Sequence, residues 1–305
     1  MPRITRRRFI EGSVATVGLA ALPLKRVLAA TSTPDLVEVE GSDPKKMVAA
    51  ALDALGGIKQ FVKKGDLVVI KPNAAFANPA DWGTTTHPDT VAAMAELALG
   101  AGAKQVLVVE YPQAKGQKCL DRCGLTVALA ALPAVKVKLL GGDEDFKATK
   151  IAGGIACTTT DVAKAVLSAD VLINLAAAKA HGQTGVSFCL KNHMGLIRDR
   201  QVFHTMFDLH QGIADLGRII KPQLCLVDAT RALLTNGPAG PGETATPNKM
   251  VAGRNIVSVD AYALTLARFN GRQMTPADAL HIAHAAKAGL GELDLGKLKI
   301  KKVAA

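Results

Sequence analysis

Aromatic side chains make up only 4% of this 305-residue chain, with a single tryptophan. The core must therefore be built from Ala, Val, Leu and Ile. That scarcity argues against a nucleic-acid reader, which needs stacking platforms beside its basic groups. No glycine-rich dinucleotide fingerprint follows the first strand-like runs and no phosphate-loop motif occurs, which weakens a nicotinamide or ATP reading. The five cysteines, Cys119, Cys123, Cys157, Cys189 and Cys225, include no C-x-x-C pair and no iron–sulfur run. Cys119 and Cys123 could share a helix face and bind metal, but such residues are more often small core hydrophobes. Their odd number and spacing specify no disulfide. No sequence feature identifies a cofactor.

What is there begins with an address. Arg6-Arg7-Arg8 precede Phe9-Ile10, a weakly apolar run covers 12–24, and Lys25-Arg26 lead into the small residues around Ala29. This pattern reads as a twin-arginine export signal over residues 1–29, cleaved after Ala29. The apolar run is too short to span a bilayer comfortably. The expected partner is the twin-arginine translocase, and the expected location is periplasmic or otherwise exported. Residues 1–29 hold six basic side chains against Glu11, so +5 of the net +11 lies there and +6 remains for the rest. That moderate excess suits a small anionic ligand and is too diffuse to imply DNA.

The remainder, 30–305, alternates strand-like and helix-like segments. Strands are expected at 36–39, 67–70, 105–109, 135–140, 171–175 and 224–227. Helices are expected at 44–55, from Pro88 to 99, and at 120–132, 161–167 and 204–220, with a last helix starting at Thr275-Pro276 and stopping near Gly289. The alternation predicts an α/β domain with a mostly parallel sheet flanked by helices. A break between two lobes is placed near 141–160, where glycine pairs flank a charged stretch.

Polar residues gather where these strands should end: Lys71 and Asn73, Glu110, Lys179 with His181, Asp228 and Asp260. The carboxyl ends of parallel strands share one edge, so residues distant in sequence converge there. The segment 179–195 is the richest, placing Lys179, His181, Lys191, Asn192 and His193 within fifteen positions. Lys71, Lys179 and Lys191 suit a carboxylate or phosphate, and one of them, desolvated, could act as a base or form a Schiff base. His181 and His204 are the natural proton carriers, with Asn73, Asn192 and Asp228 orienting the parts. A metal held by His181, His204 and Asp228 has no short-range ligand spacing to support it. The loop 235–243, with Gly237-Pro238 and Gly240-Pro241, could wall the cleft. His281 and His284 read as a half-exposed helical pair, and His210 as helix surface.

In this order the motifs resemble the family of domains of unknown function numbered 362. Its matching pieces are Gly65-Asp66-Leu67-Val68-Val69-Ile70-Lys71-Pro72-Asn73, Asp170 to Asn174, Lys179-x-His181, Leu190-Lys191-Asn192-x-x-Gly195, His204, Asp228, Gly237-Pro238-x-Gly240 and Asp260. They extend over roughly residues 40–265. The resemblance strengthens the choice of cleft residues without naming a reaction: Lys179, His181, Lys191 and His204 stand as the catalytic candidates, and Lys71, Asn73, Asn192, Asp228 and Gly237 as the binding ones. Relatives with a ferredoxin segment imply electron-transfer chemistry. This chain lacks C-x-x-C-x-x-C, which leaves a redox partner protein as the alternative to an enzyme acting on a small anion.

Overall fold

The computed structural model describes residues 33–305; the expected export signal lies outside them. In chain order the elements are β1 (Leu36–Glu40), α1 (Pro44–Ala54), β2 (Leu67–Pro72), α2 (Pro88–Gly100), β3 (Gln105–Glu110), α3 (Gly116–Arg122), α4 (Leu125–Ala130) and β4 (Val135–Leu139). Next come β5 (Phe146–Lys150), β6 (Thr159–Ala163), α5 (Lys164–Leu167), β7 (Val171–His181), β8 (Gly185–Ser187), α6 (Cys189–Asn192), α7 (Arg200–Thr205) and α8 (Leu209–Leu216). The chain finishes with β9 (Leu224–Leu233), β10 (Thr244–Ala245), β11 (Lys249–Gly253), α9 (Ile256–Ala263), α10 (Leu280–Lys287) and β12 (Ile300–Ala304).

One large sheet runs β12-β1-β11-β9-β7-β2-β3-β4, with β8 on β7 and β10 on β9. The pairs β9–β7, β7–β2, β2–β3 and β3–β4 are parallel, as is β1–β12, whereas β11 is antiparallel to both its neighbours. The sheet is thus mostly parallel and covered by helices on both faces. Strand alternation sorts the apolar side chains accordingly: Val68 and Ile70 enter one cluster with Met47, Val48, Val91 and Met94 of α1 and α2. Val69 and Leu172 enter the other, with Leu190, Ile213, Val257 and Ile282 of the later helices.

Several boundaries differ from the pattern reading, each for a local reason. The helix expected over 120–132 is two, α3 and α4, divided at Gly124, whose φ of +85° ends one turn and starts the next. The segment expected as a helix over 161–167 is half strand: β6 pairs antiparallel with β5 before α5 begins. The long helix over 204–220 breaks because the Asp208 carboxylate accepts the N–H groups of His210 and Gln211 and founds a second start. Near the end, Asp278 accepts from the N–H and hydroxyl of Thr275 at 2.9 and 2.7 Å, forming a turn, so α10 starts only at Leu280.

Two differences move functional residues. β7 does not stop at 175 but continues to His181, buried throughout, so Lys179 and His181 stand on the strand rather than on a loop after it. Asp228 lies inside β9, and Asp260 on helix α9 rather than at a strand end. Residues 141–160 carry a short turn and the β5 hairpin arm.

Candidate functional site

The carboxyl ends of β2 and β3 meet in one ion pair. Lys71 is the fifth residue of β2 and Glu110 the last of β3, on adjacent parallel strands. Their Nζ–Oε2 distance is 2.9 Å, and each side chain is only 1% exposed. The carboxylate also accepts the Ala74 N–H at 2.6 Å and, through its second oxygen, the Tyr111 N–H at 2.9 Å. Lys71 donates further to the Pro72 carbonyl and to Asn192 Oδ1 at 3.2 Å. Burial lowers the Lys71 pKa while Glu110 opposes that shift. Gly195 closes over the pair: a Cβ there would lie 2.7 Å from Lys71 Cε and 2.8 Å from Glu110 Oε1.

Asn192 links this pair to the centre of the sheet. Its Nδ2 donates to Asn174 Oδ1 at 2.9 Å and its Oδ1 accepts from Asn73 Nδ2 at 3.2 Å. Asn73 in turn accepts the Lys179 ammonium at 2.8 Å. Lys179 also donates to the Thr84 carbonyl at 2.6 Å and sits 4.8 Å from the centre of the Phe76 ring. Its surroundings are therefore neutral acceptors with no carboxylate in contact. Burial, with the Lys191 and Lys71 cations adding and Glu110 opposing, pushes the Lys179 pKa down to about 7.

Lys191 and Asn192 ride on α6, a helix of four residues. Such a short helix has almost no internal hydrogen bonding, and Asp260 supplies what it lacks. Its two oxygens accept the Cys189 and Leu190 N–H groups at 2.9 and 2.8 Å, tying α6 to α9. Asp260 is thus a positioning residue beneath the site. Lys191 is pushed down to about 7 by burial, with Arg200 adding.

Helix α7 contributes two residues four apart, hence on one face. Arg200 donates to the Tyr111 and Pro112 carbonyls at 2.7 and 3.2 Å and stacks over the Tyr111 ring at 4.1 Å. His204 Nδ1 lies 2.7 Å from the Arg200 carbonyl oxygen, which can only accept, so the proton is assigned to Nδ1. Its Nε2 lone pair then faces Lys191 Nζ at 3.4 Å. His181 has the opposite arrangement. Its Nδ1 accepts the N–H groups of Gln183 and Thr184 at 3.2 and 3.3 Å, which puts the neutral ring's proton on Nε2. Burial, then the Lys191 and Lys179 cations, push the His181 pKa down to about 2. His204 is also lowered, chiefly by burial. The two rings are roughly stacked, with centroids 6.4 Å apart.

These groups surround a cavity of roughly 80 Å³ walled by Asn73, Lys179, His181, Lys191, Asn192, Arg200 and His204, with Pro238 at the rim. Sites for drug-sized ligands run to about 300–1,000 Å³, so the inner space takes a compact group. Once Lys71 and Glu110 cancel, Lys179, Lys191 and Arg200 leave the cavity cationic, and the histidines stay neutral. Among the described residues no three His, Cys, Asp or Glu side chains converge as metal ligands. The donor set fits a small anion.

The structure therefore brings together Lys71, Asn73, Lys179, His181, Lys191, Asn192 and His204, all of them candidates from the sequence pattern. It separates two others. The Asp228 carboxylate is consumed at the start of α2, accepting from Thr90 Oγ1 at 2.7 Å and the His87 N–H at 3.1 Å, and from Thr230 at 2.6 and 2.9 Å. It cannot complete a metal site with His181 and His204. Gly237 stays behind the wall: its carbonyl accepts the Gly182 N–H at 3.1 Å, and a Cβ there would collide with the Ala180 carbonyl. Its role is to let the loop press against β7 so that Pro238 reaches the rim. His193 is buried away from the cavity, with neither ring nitrogen partnered among the described residues. His281 is fully buried and stacked on His210 at 5.7 Å, not half-exposed. Sequence reasoning missed Arg200, which its spacing from His204 would have indicated, and the partnership of Glu110 with Lys71. Phe76 and Asn174 carried no pattern to reveal them.

Replacing Glu110 by Gln should lower stability on the order of 3 kcal/mol, the low end for breaking a buried pair, because Lys71 can shed its proton. Urea unfolding measures this, and a loss under about 1 kcal/mol would mean the pair is not what holds β2 to β3.

Comparison with known proteins bears on the same residues. The Thylakoid-associated protein sll1697 of Synechocystis sp. is 27% identical over 258 residues, covering 78% of this chain and 73% of that protein. Among solved structures, the lactate racemase apoprotein from Thermoanaerobacterium thermosaccharolyticum superposes with a TM-score of 0.43 at 12% identity, over 63% of this chain. This chain spans 50% of that one's length. The profile described as "Domain of unknown function (DUF362)" matches residues 68–265, a span that contains every wall of the cavity. The chain belongs to the DUF362 family.

Proposed function

We propose that the protein is an enzyme acting on a small carboxylate, which it binds through Lys179, Lys191 and Arg200 and on which His204 and His181 move a proton. The observation that carries this reading is the opposed tautomers of two neutral imidazoles in one cationic cavity. His204 presents a lone pair at Nε2 that can take a proton and return it, and His181 an N–H at Nε2 that can hydrogen-bond the charge that develops meanwhile. The cations supply the rest: negative charge that spreads onto the carboxylate when an adjacent C–H is deprotonated is met by fixed positive groups in a poorly solvated space.

A panel of small 2-hydroxy, 2-amino and 2-oxo acids incubated with the protein in D₂O tests this by NMR. Loss of the proton signal next to the carboxylate is expected for at least one acid. His204→Gln should slow it by about 10²–10⁴-fold, with the thermal unfolding midpoint nearly unchanged. Saturable binding of these acids with no exchange from any of them would turn the reading to the alternative, a ligand-binding or accessory protein for a redox partner.

Anion binding should also follow the lysines. With Lys179 and Lys191 both held near 7, their positive charge is present below that pH and lost as the pH rises through it. Glycolate affinity, measured by calorimetry, should fall at least about tenfold from pH 6 to pH 9, whereas ordinary lysines would keep their charge to about pH 10. A flat profile would contradict this assignment.

The same reading has the protein act outside the cytoplasm, delivered by the twin-arginine translocase. The support is Arg6-Arg7 ahead of the weakly apolar run 12–24. Changing Arg6 and Arg7 together to Lys should abolish appearance of the protein in the periplasmic fraction, and undiminished export would remove that assignment.

A further inference from the structure

The inner cavity adjoins a larger, solvent-open pocket. It shares Gln113, Arg200 and His204 with this second chamber of about 590 Å³, several times its volume, whose walls also include Gln183, Gln201 and Thr205. The charge character changes between the two. Arg198, on the outer wall, is neutralised by Asp143 at 2.7 Å and by Asp161 at 3.8 Å. Arg200, shared by both spaces, adds one positive charge and Asp199 one negative charge. The outer chamber is thus close to neutral, while the inner one is cationic.

What lines the outer chamber is amide. Gln113 follows β3, Gln183 sits in the β7–β8 turn, and Gln201 is on α7, so three separate elements each direct a glutamine to one space. Their backbones are engaged: the Gln113 N–H with the Ala75 carbonyl, the Gln183 N–H with His181 Nδ1, and the Gln201 carbonyl with the Thr205 hydroxyl. All three glutamines are solvent-exposed, and among the described residues their side-chain amides have no hydrogen-bond partner within the protein. A primary amide offers both donors and an acceptor, as a hydroxyl does, so such a wall matches an uncharged group rich in hydroxyls. It offers a second phosphate no surplus cation, and a hydrocarbon chain would strip water from the amides without replacing their hydrogen bonds.

Building on the carboxylate reading above, we propose that the substrate is a polyhydroxy acid. Its carboxylate and adjacent carbon occupy the inner cavity, and its hydroxylated body lies in the outer chamber against Gln113, Gln183 and Gln201. These glutamines determine specificity and do not touch the reacting carbon.

Calorimetry with three probes of shared head group tests this: glycolate, hexanoate and D-gluconate. Gluconate is expected to bind at least about tenfold tighter than either of the others. In Gln183→Leu/Gln201→Leu, or in each single variant should the pair unfold, the glycolate-to-gluconate ratio of Kd values should fall toward one. Equal binding of glycolate and gluconate, or tightest binding by hexanoate, overturns the polyhydroxy assignment while leaving the anion site standing. Failure of the reading beneath it looks different: Lys191→Met would leave the affinity for all three probes unaltered.

Discussion

The Lys71–Glu110 pair is the constraint on which the rest of the site rests. Two opposite charges buried at the ends of neighbouring strands are tolerable only if their polar atoms find partners, and here the ammonium has three acceptors and both carboxylate oxygens accept. Glu110 holds the backbone of Ala74 and Tyr111, so it fixes where the chain turns away from β2 and from β3. Lys71 holds Asn192, and through Asn192 the network reaches Asn174, Asn73 and Lys179. Four elements far apart in sequence are thereby placed relative to one another by a connected set of polar contacts, and the cavity is the space they leave.

That arrangement makes the division of labour among the cations intelligible. Lys71 has a carboxylate and is occupied; Lys179 has only neutral acceptors, and Lys191 only a histidine. Burial therefore acts on the last two without full compensation, which leaves them near the pH at which they gain or lose charge. The histidines are kept uncharged by the same burial, and their protons are placed by backbone groups rather than by carboxylates. An incoming anion would supply the countercharge that the lysines lack.

Much of this arrangement is legible in the amino-acid sequence. The apolar runs locate the strands of the parallel sheet, and the polar residues that begin at 71 and at 179 mark the right edge. How far β7 runs is not legible. Lys179 and His181 look like loop residues because their chemistry usually demands water, and only the acceptors on Asn73 and Thr84 and the N–H donors of the β7–β8 turn explain their burial. Asp228 stands out for its place near a strand end, yet its neighbours Thr90 and Thr230 use it as a structural acceptor. Asp260 is legible as a residue of interest but not as a cap, since its partners lie some seventy positions earlier. Long-range hydrogen bonding leaves no periodic trace in the sequence.

Gly195 sets a steric condition on what this site can hold. Its missing side chain is the space in which the Lys71 stem and the Glu110 carboxylate lie. A methyl group at 195 could be accommodated only if the residue at 71 were shorter or the carboxylate at 110 were absent. Any side chain at 195 would therefore have to displace the Lys71 stem or the Glu110 carboxylate, whereas no such clash ties the outer glutamines to one another. The cavity's floor thus depends on an absent side chain as much as on the charges it holds.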